Sequence, residues 1–166
     1  GLGHAVLCAR SVIGNEPFFV HLADDLILAE TPCLSQMAEE HARHRQSVVA
    51  VEQVEREDTS SYGIVAVKDS DDGQRMTEII EKPAPQDAPS DLAVVGRYLL
   101  MPDIWDNLES IGQGAGGEIQ LTDAIAMLLQ DRDVYAYSFS GIRYDCGSKL
   151  GYLKAMVASG LVDGDI

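Results

Sequence analysis

The sequence predicts an α/β fold with a mainly parallel sheet and a small antiparallel hairpin near its middle. Three observations carry this. Short apolar runs alternate with segments of helical periodicity along much of the chain. The runs at residues 18–23, 47–54 and 92–100 are nearly free of polar interruption, as in strands covered on both faces. A turn at 69–73, Asp-Ser-Asp-Asp-Gly, separates two strand-like segments at 62–67 and 76–81, which makes the hairpin.

The remaining elements follow in order. Gly1-Leu2-Gly3 leads into the apolar stretch 5–9, read as a helix beginning at the first residues, and Gly14 to Pro17 make a turn. Leu34, Met37, Ala38, His41 and Ala42 recur at helical spacing across 34–45. Residues 55–61 are polar loop, and three prolines within 83–89 exclude regular structure there. A short helix is expected at 104–108, a glycine-rich loop at 112–117, and a helix at 118–130 whose first residue, Glu118, suits the helix dipole. Residues 134–139 alternate as a strand. Ser148 caps a last helix that Gly160 ends.

The chain has 166 residues, read as a single domain over 1–166. Acidic residues outnumber basic ones 27 to 12, a net charge of −15, which disfavours nucleic acid as a partner. No apolar run approaches the roughly 18 residues of a membrane span. No secretory signal opens the sequence. Cys8, Cys33 and Cys146 are odd in number and widely spaced, so they are read as reduced thiols of a cytoplasmic protein. His4, His21, His41 and His44 lack metal-ligand spacing with cysteine, and no serine stands in a nucleophile elbow.

Four features could carry chemistry. Asp24-Asp25 closes an apolar strand, at the sheet edge where open α/β folds bind ligands, and hard carboxylate oxygens there suit Mg²⁺. A solvated turn is the plainer alternative. Glu81-Lys82-Pro83 could pair a sugar-hydroxyl acceptor with a phosphate donor, or be a surface pair before a proline. The loop 112–117 matches neither phosphate-loop nor dinucleotide fingerprints and reads as a connector. Asp145-Cys146-Gly147 offers a second metal ligand or a turn residue.

In order along the chain, Gly1-Leu2-Gly3-His4-Ala5, Leu22-Ala23-Asp24-Asp25, Tyr62-Gly63, Glu81-Lys82-Pro83, Val94-Val95-Gly96-Arg97-Tyr98, the run Gly116 to Asp123 and the run Asp145 to Tyr152 closely resemble the bacterial UTP–glucose-1-phosphate uridylyltransferases, or UDP-glucose pyrophosphorylases. The resemblance covers essentially the whole chain. It implies a Rossmann-like sheet of the nucleotide-diphospho-sugar transferase type, and conversion of UTP and glucose 1-phosphate into UDP-glucose and pyrophosphate with Mg²⁺. It implies that Gly1 lies by the nucleotide base, that Asp24 is the metal ligand and that Asp25 sits near the sugar. Gly63 and Glu81 would hold glucose hydroxyls, Lys82 the sugar phosphate, and Val94, Gly96 and Tyr98 would line the sugar pocket. Asp145 matches a second metal-binding aspartate of related enzymes.

The chemistry is consistent with these residue types. A phosphate oxygen is already ionised near neutral pH, so attack needs positioning and charge neutralisation rather than a general base. The family's triphosphate-binding loop, Gly-x-Gly-Thr-Arg, has no match among these residues, and Ala23 stands where the family often carries proline. The chain is therefore expected to be an N-terminally truncated fragment, inactive alone, with apolar faces covered in a homo-oligomer. The alternative is a non-catalytic sugar-phosphate or nucleotide-sugar binding domain on the same scaffold.

Overall fold

The computed structural model describes residues 1–163. Its elements are α1 (Leu2–Cys8), α2 (Arg10–Ile13), β1 (Phe18–His21), β2 (Asp25–Leu28), α3 (Cys33–His44), β3 (Ser47–Gln53), β4 (Gly63–Ser70), β5 (Gly73–Glu81), β6 (Leu92–Leu100), α4 (Ile104–Ser110), α5 (Leu121–Leu128), β7 (Val134–Ser138), β8 (Ile142–Asp145) and α6 (Lys149–Asp163).

Among the described residues, one sheet has six strands in the order β1-β6-β3-β7-β5-β4, and β2 with β8 forms a second, two-stranded sheet. The large sheet is mixed, not mainly parallel. Of its pairings only β3 with β7 runs parallel, and β1–β6, β3–β6, β4–β5, β4–β6 and β5–β7 are antiparallel. The expectation failed for a physical reason. A continuous apolar run reports burial on two faces, and burial says nothing about strand direction.

That two-sided burial is real at the sheet's centre. On β3 and β6, Val49, Val51, Val94, Tyr98 and Leu100 join a core with Val6 of α1, Ile104, Trp105 and Leu108 of α4, and Leu121 and Ile125 of α5. The alternate residues Val48, Ala50, Val95 and Leu99 pack on the other face with Cys33 and Met37 of α3. Period-2 alternation thus assigns each strand residue to one core or the other. Phe18 stacks on Trp105 with ring centroids 4.5 Å apart, and the Trp105 indole N–H donates to the Gly14 carbonyl at 3.0 Å.

Three further expectations are corrected. β1 is an edge strand paired only with β6, and Phe19 is 40% exposed, so it is not buried on both faces. α5 begins at Leu121 rather than residue 118, because Glu118 and Gln120 both keep extended backbone, and Asp123 supplies the acidic first turn. α6 continues past Gly160 to Asp163, while Ser148 does cap it, its Oγ accepting from the Gly151 N–H at 3.0 Å. The last three residues of the proposed 1–166 domain lie outside the described residues. No helix among those described is long and apolar enough to cross a membrane.

Candidate functional site

The chain folds so that strand ends meet in one cleft of about 400 Å³. The β4–β5 hairpin contributes its open end. Gly63 opens β4 directly opposite Glu81, which closes β5. Lys82 follows, with its N–H donating to the Tyr62 carbonyl at 2.9 Å and a backbone φ of 46°. A left-handed lysine before a proline is an unfavourable conformation held by its surroundings. The Glu81 carboxylate accepts a hydrogen bond from the Thr122 hydroxyl at 2.9 Å, and its other oxygen lies 3.9 Å from Lys82 Nζ. Glu81 is mostly covered, with its side chain 17% exposed, whereas Lys82 reaches outward at 60%.

β6 forms one wall. Val94, Gly96 and Tyr98 share a face by strand periodicity and all line the cleft. Burial pushes the Tyr98 hydroxyl well above the ordinary phenol range, and the charges of Glu81 and Asp25 push the same way. Tyr98 is therefore a neutral phenol throughout the working pH range.

The two-stranded sheet supplies the acidic end. The Asp24-Asp25 pair does not close β1, as the sequence reading expected. Asp24 lies in the turn after β1, and Asp25 begins β2. In the β2–β8 pairing Asp25 is the register partner of Asp145. The Cys146 N–H donates to the Asp24 carbonyl at 2.7 Å, which ties the turn to the end of β8. A Cβ placed on Gly147 would lie 3.1 Å from Asp145 Oδ1 and 3.3 Å from Asp24 Oδ2. Both carboxylates thus lie beside Gly147 at the cleft's edge, and Asp145 Oδ1 accepts the Gly147 N–H at 3.0 Å. Two hard oxygen donors at such a spot fit a divalent cation that completes its shell with water and phosphate. No group of three or more His, Cys, Asp or Glu side chains arranged for a metal occurs among the described residues.

Asp25 has a different setting. It is 7% exposed, and its carboxylate is already engaged. Oδ2 accepts from the Gly96 N–H at 2.9 Å, and Oδ1 accepts from Arg143 Nε. Its backbone carbonyl accepts from Arg97, whose guanidinium also donates to the carbonyls of Leu22 at 2.9 Å and Gly96 at 2.8 Å. Burial lowers the Arg97 pKa against the opposing influence of Asp25. For Arg143, burial opposes the charge, but the hydrogen bond and charge of Asp25, then those of Tyr62, raise its pKa above the ordinary value.

The cleft therefore gathers Asp24, Asp25, Gly63, Glu81 and Lys82 with Val94, Gly96, Tyr98 and Asp145. Gly1 packs beside it, its backbone nitrogen 3.6 Å from Glu118 Oε2 at the rim. Sequence reasoning missed Arg143 and Thr122 as parts of the site. Arg143 stands two residues before Asp145, so strand alternation places both on one face. No strand is assigned at 142–145 from sequence, so that alternation became visible only with β8 in the structure. Thr122 carried no such signal, since only the tertiary fold brings α5 over Glu81.

Residues 1–159 match the Nucleotidyl transferase family. The chain belongs to that family. Members of it usually use a divalent metal ion, in keeping with the paired carboxylates. The UTP--glucose-1-phosphate uridylyltransferase of Pseudomonas aeruginosa strain PAO1 is 49% identical over 158 residues, covering 93% of this chain and 57% of the relative. That of Bacillus subtilis strain 168 is 46% identical over 168 residues, covering 100% and 57%. A crystal structure of UDP-glucose pyrophosphorylase complexed with UDP-glucose superposes with a TM-score of 0.92 at 43% identity, covering 96% of this chain and 61% of that one. A UTP-bound UGPase from Acinetobacter baumannii superposes with a TM-score of 0.84 at 45% identity, covering 97% and 56%. The chain thus spans about 57% of the length of these curated relatives.

Proposed function

We propose that this nucleotidyl transferase chain carries the sugar- and metal-binding half of a uridylyltransferase site, in a protein that joins UTP and glucose 1-phosphate to give UDP-glucose and pyrophosphate. The observation that carries the reading is the meeting of Asp24, Asp145, Glu81 and Lys82 in one cleft.

In the reaction, a phosphate oxygen of glucose 1-phosphate forms a bond to the α-phosphorus of UTP while the bond to the β-phosphate bridging oxygen breaks. No general base is required, so the protein's task is orientation and charge balance. Lys82, exposed at the cleft mouth, donates to the sugar phosphate. Glu81, steadied by Thr122, accepts from hexose hydroxyls, and the missing side chain of Gly63 lets Thr122 close on that carboxylate beside them. Val94 and Tyr98 give the apolar wall that fixes the ring. Gly96 lets the Asp25 carboxylate close against that wall, Asp25 lies at the sugar's end of the cleft, and Gly1 lies toward the base. Asp24 and Asp145 would hold Mg²⁺, which supplies positive charge between the anionic phosphates.

The same reading places the protein in the cytoplasm as a homo-oligomer acting on small molecules, with neither nucleic acid nor membrane as partner. It also takes uracil over thymine or guanine as the base.

Isothermal titration with UDP-glucose, with and without Mg²⁺, tests the assignment. Binding should depend on Mg²⁺, and Asp24→Ala should abolish that dependence. An unchanged metal dependence in the variant removes Asp24 from the site. Incubation with UTP, glucose 1-phosphate and Mg²⁺ should give little turnover from this chain alone. Robust turnover would show that no further phosphate-binding loop is needed.

A further inference from the structure

Arg143 touches neither of the carboxylates assigned to the cation. It stands on β8, the strand that ends at Asp145, and reaches across to Asp25, the residue after Asp24. Its side chain is 8% exposed, and its Nε donates to Asp25 Oδ1. Its guanidinium carbon stands 5.1 Å from the centre of the Tyr62 ring, and one terminal nitrogen is 3.6 Å from Glu52 Oε2. Three partners, on β2, on β3 and just before β4, thus hold it in one orientation.

The consequences run along two short paths. Asp25 is bonded in sequence to Asp24 and stands in register with Asp145. Arg143 is two residues from Asp145 on the same strand face. The Asp25–Arg143 pair is therefore a rung between β2 and β8, one residue from the first carboxylate and two from the second. The other Asp25 oxygen is anchored to the Gly96 N–H on the large sheet, so the rung also registers the small sheet against the cleft wall.

We infer that Arg143 is a positioning residue: by clamping Asp25 between β8 and Gly96, it sets the separation of Asp24 and Asp145 and so makes the cation site. This rests on the reading of those two aspartates as metal ligands. Without Arg143 the buried Asp25 Oδ1 loses its hydrogen-bonded ionic partner on β8, and the backbone bond from Cys146 to Asp24 is left as the remaining tie between the turn and that strand.

Simple electrostatics makes the opposite forecast, which gives the test its force. Removing a positive charge close to two carboxylates should tighten cation binding by Coulomb's law alone. Loss of positioning should weaken it.

The test combines Mn²⁺ titration with amide hydrogen exchange on the protein and its variants. In Arg143→Gln, Mn²⁺ affinity should fall about tenfold, and the Gly96 and Cys146 amides should exchange about tenfold faster, while the Leu129 amide at the end of α5 is unchanged. Arg143→Lys should restore Mn²⁺ affinity to within about threefold, and the Asp25→Asn/Arg143→Gln double variant should bind no worse than Arg143→Gln, because both act through one contact. Should Arg143→Gln not fold, Asp25→Asn breaks the same rung and must speed the Cys146 amide likewise. Tighter Mn²⁺ binding in Arg143→Gln, or undisturbed protection at both amides, overturns the inference. Asp24→Asn is the separate control. If it leaves Mn²⁺ binding intact, the metal reading fails, and the amide exchange still decides whether Arg143 holds the turn.

Discussion

The Gly96 N–H donates to Asp25 Oδ2 at 2.9 Å, and a Cβ on Gly96 would stand 2.6 Å from that same oxygen. It would also stand 2.6 Å from Leu22 Cβ. The glycine is needed because a buried carboxylate crosses directly over its backbone. Gly96→Ala should therefore cost about 1–3 kcal/mol of stability, the range for overpacking a tight interior. Urea denaturation measures this. A change below about 0.5 kcal/mol, the size of a neutral surface substitution, would show that Asp25 moves aside freely.

Thr122 is buried and spends its hydroxyl on Glu81 Oε2. Thr122→Val keeps the side-chain shape and removes the donor. Hydrogen bonds to charged groups contribute about 1.5–3 kcal/mol, so the Glu81 carboxylate should lose its fixed orientation. Affinity for UDP-glucose should fall roughly tenfold, equivalent to about 1.4 kcal/mol. Thr122→Ser should retain most of the affinity. Equal binding by the valine and threonine forms in calorimetry would separate Thr122 from sugar recognition.

The chain's single tryptophan, Trp105, is 2% exposed, stacks on Phe18 and donates to Gly14. It joins α4 to the edge strand β1 and to the turn before it. Trp105→Ala should destabilise the fold by about 3–5 kcal/mol. In the unsubstituted protein, tryptophan emission should shift to the red in the same transition that far-ultraviolet circular dichroism reports.

The thiols should differ sharply in reactivity. Cys33 is 5% exposed, and burial pushes its pKa up, so the reactive thiolate is scarce at neutral pH. Cys8 is exposed, with its sulfur 3.8 Å from His4 Nε2. Iodoacetamide followed by peptide mass spectrometry should find Cys8 modified first and Cys33 only after unfolding. Early labelling of Cys33 in folded protein would mean that α3 opens from the sheet.

Much of this molecule could be read from residue order alone. The β6 limits, Leu92 to Leu100, followed directly from an apolar run between polar breaks, and the β4–β5 hairpin followed from its turn. The motif residues at 24, 63, 81, 82 and 94–98 were identifiable because each is a local pattern, recognisable without knowing what lies opposite. Strand direction was not legible, since antiparallel and parallel neighbours bury the same side chains. Nor was the small sheet, because Asp25–Leu28 and Ile142–Asp145 are four residues each and become strands only by pairing across more than a hundred positions of chain. Local chemistry thus fixed which groups are available. Three-dimensional pairing decided that Asp25 is a buried partner of Arg143 and Gly96, and that Asp24 and Asp145 lie beside Gly147. Such contacts are long-range, and a carboxylate carries no local mark of what will meet it when the chain folds.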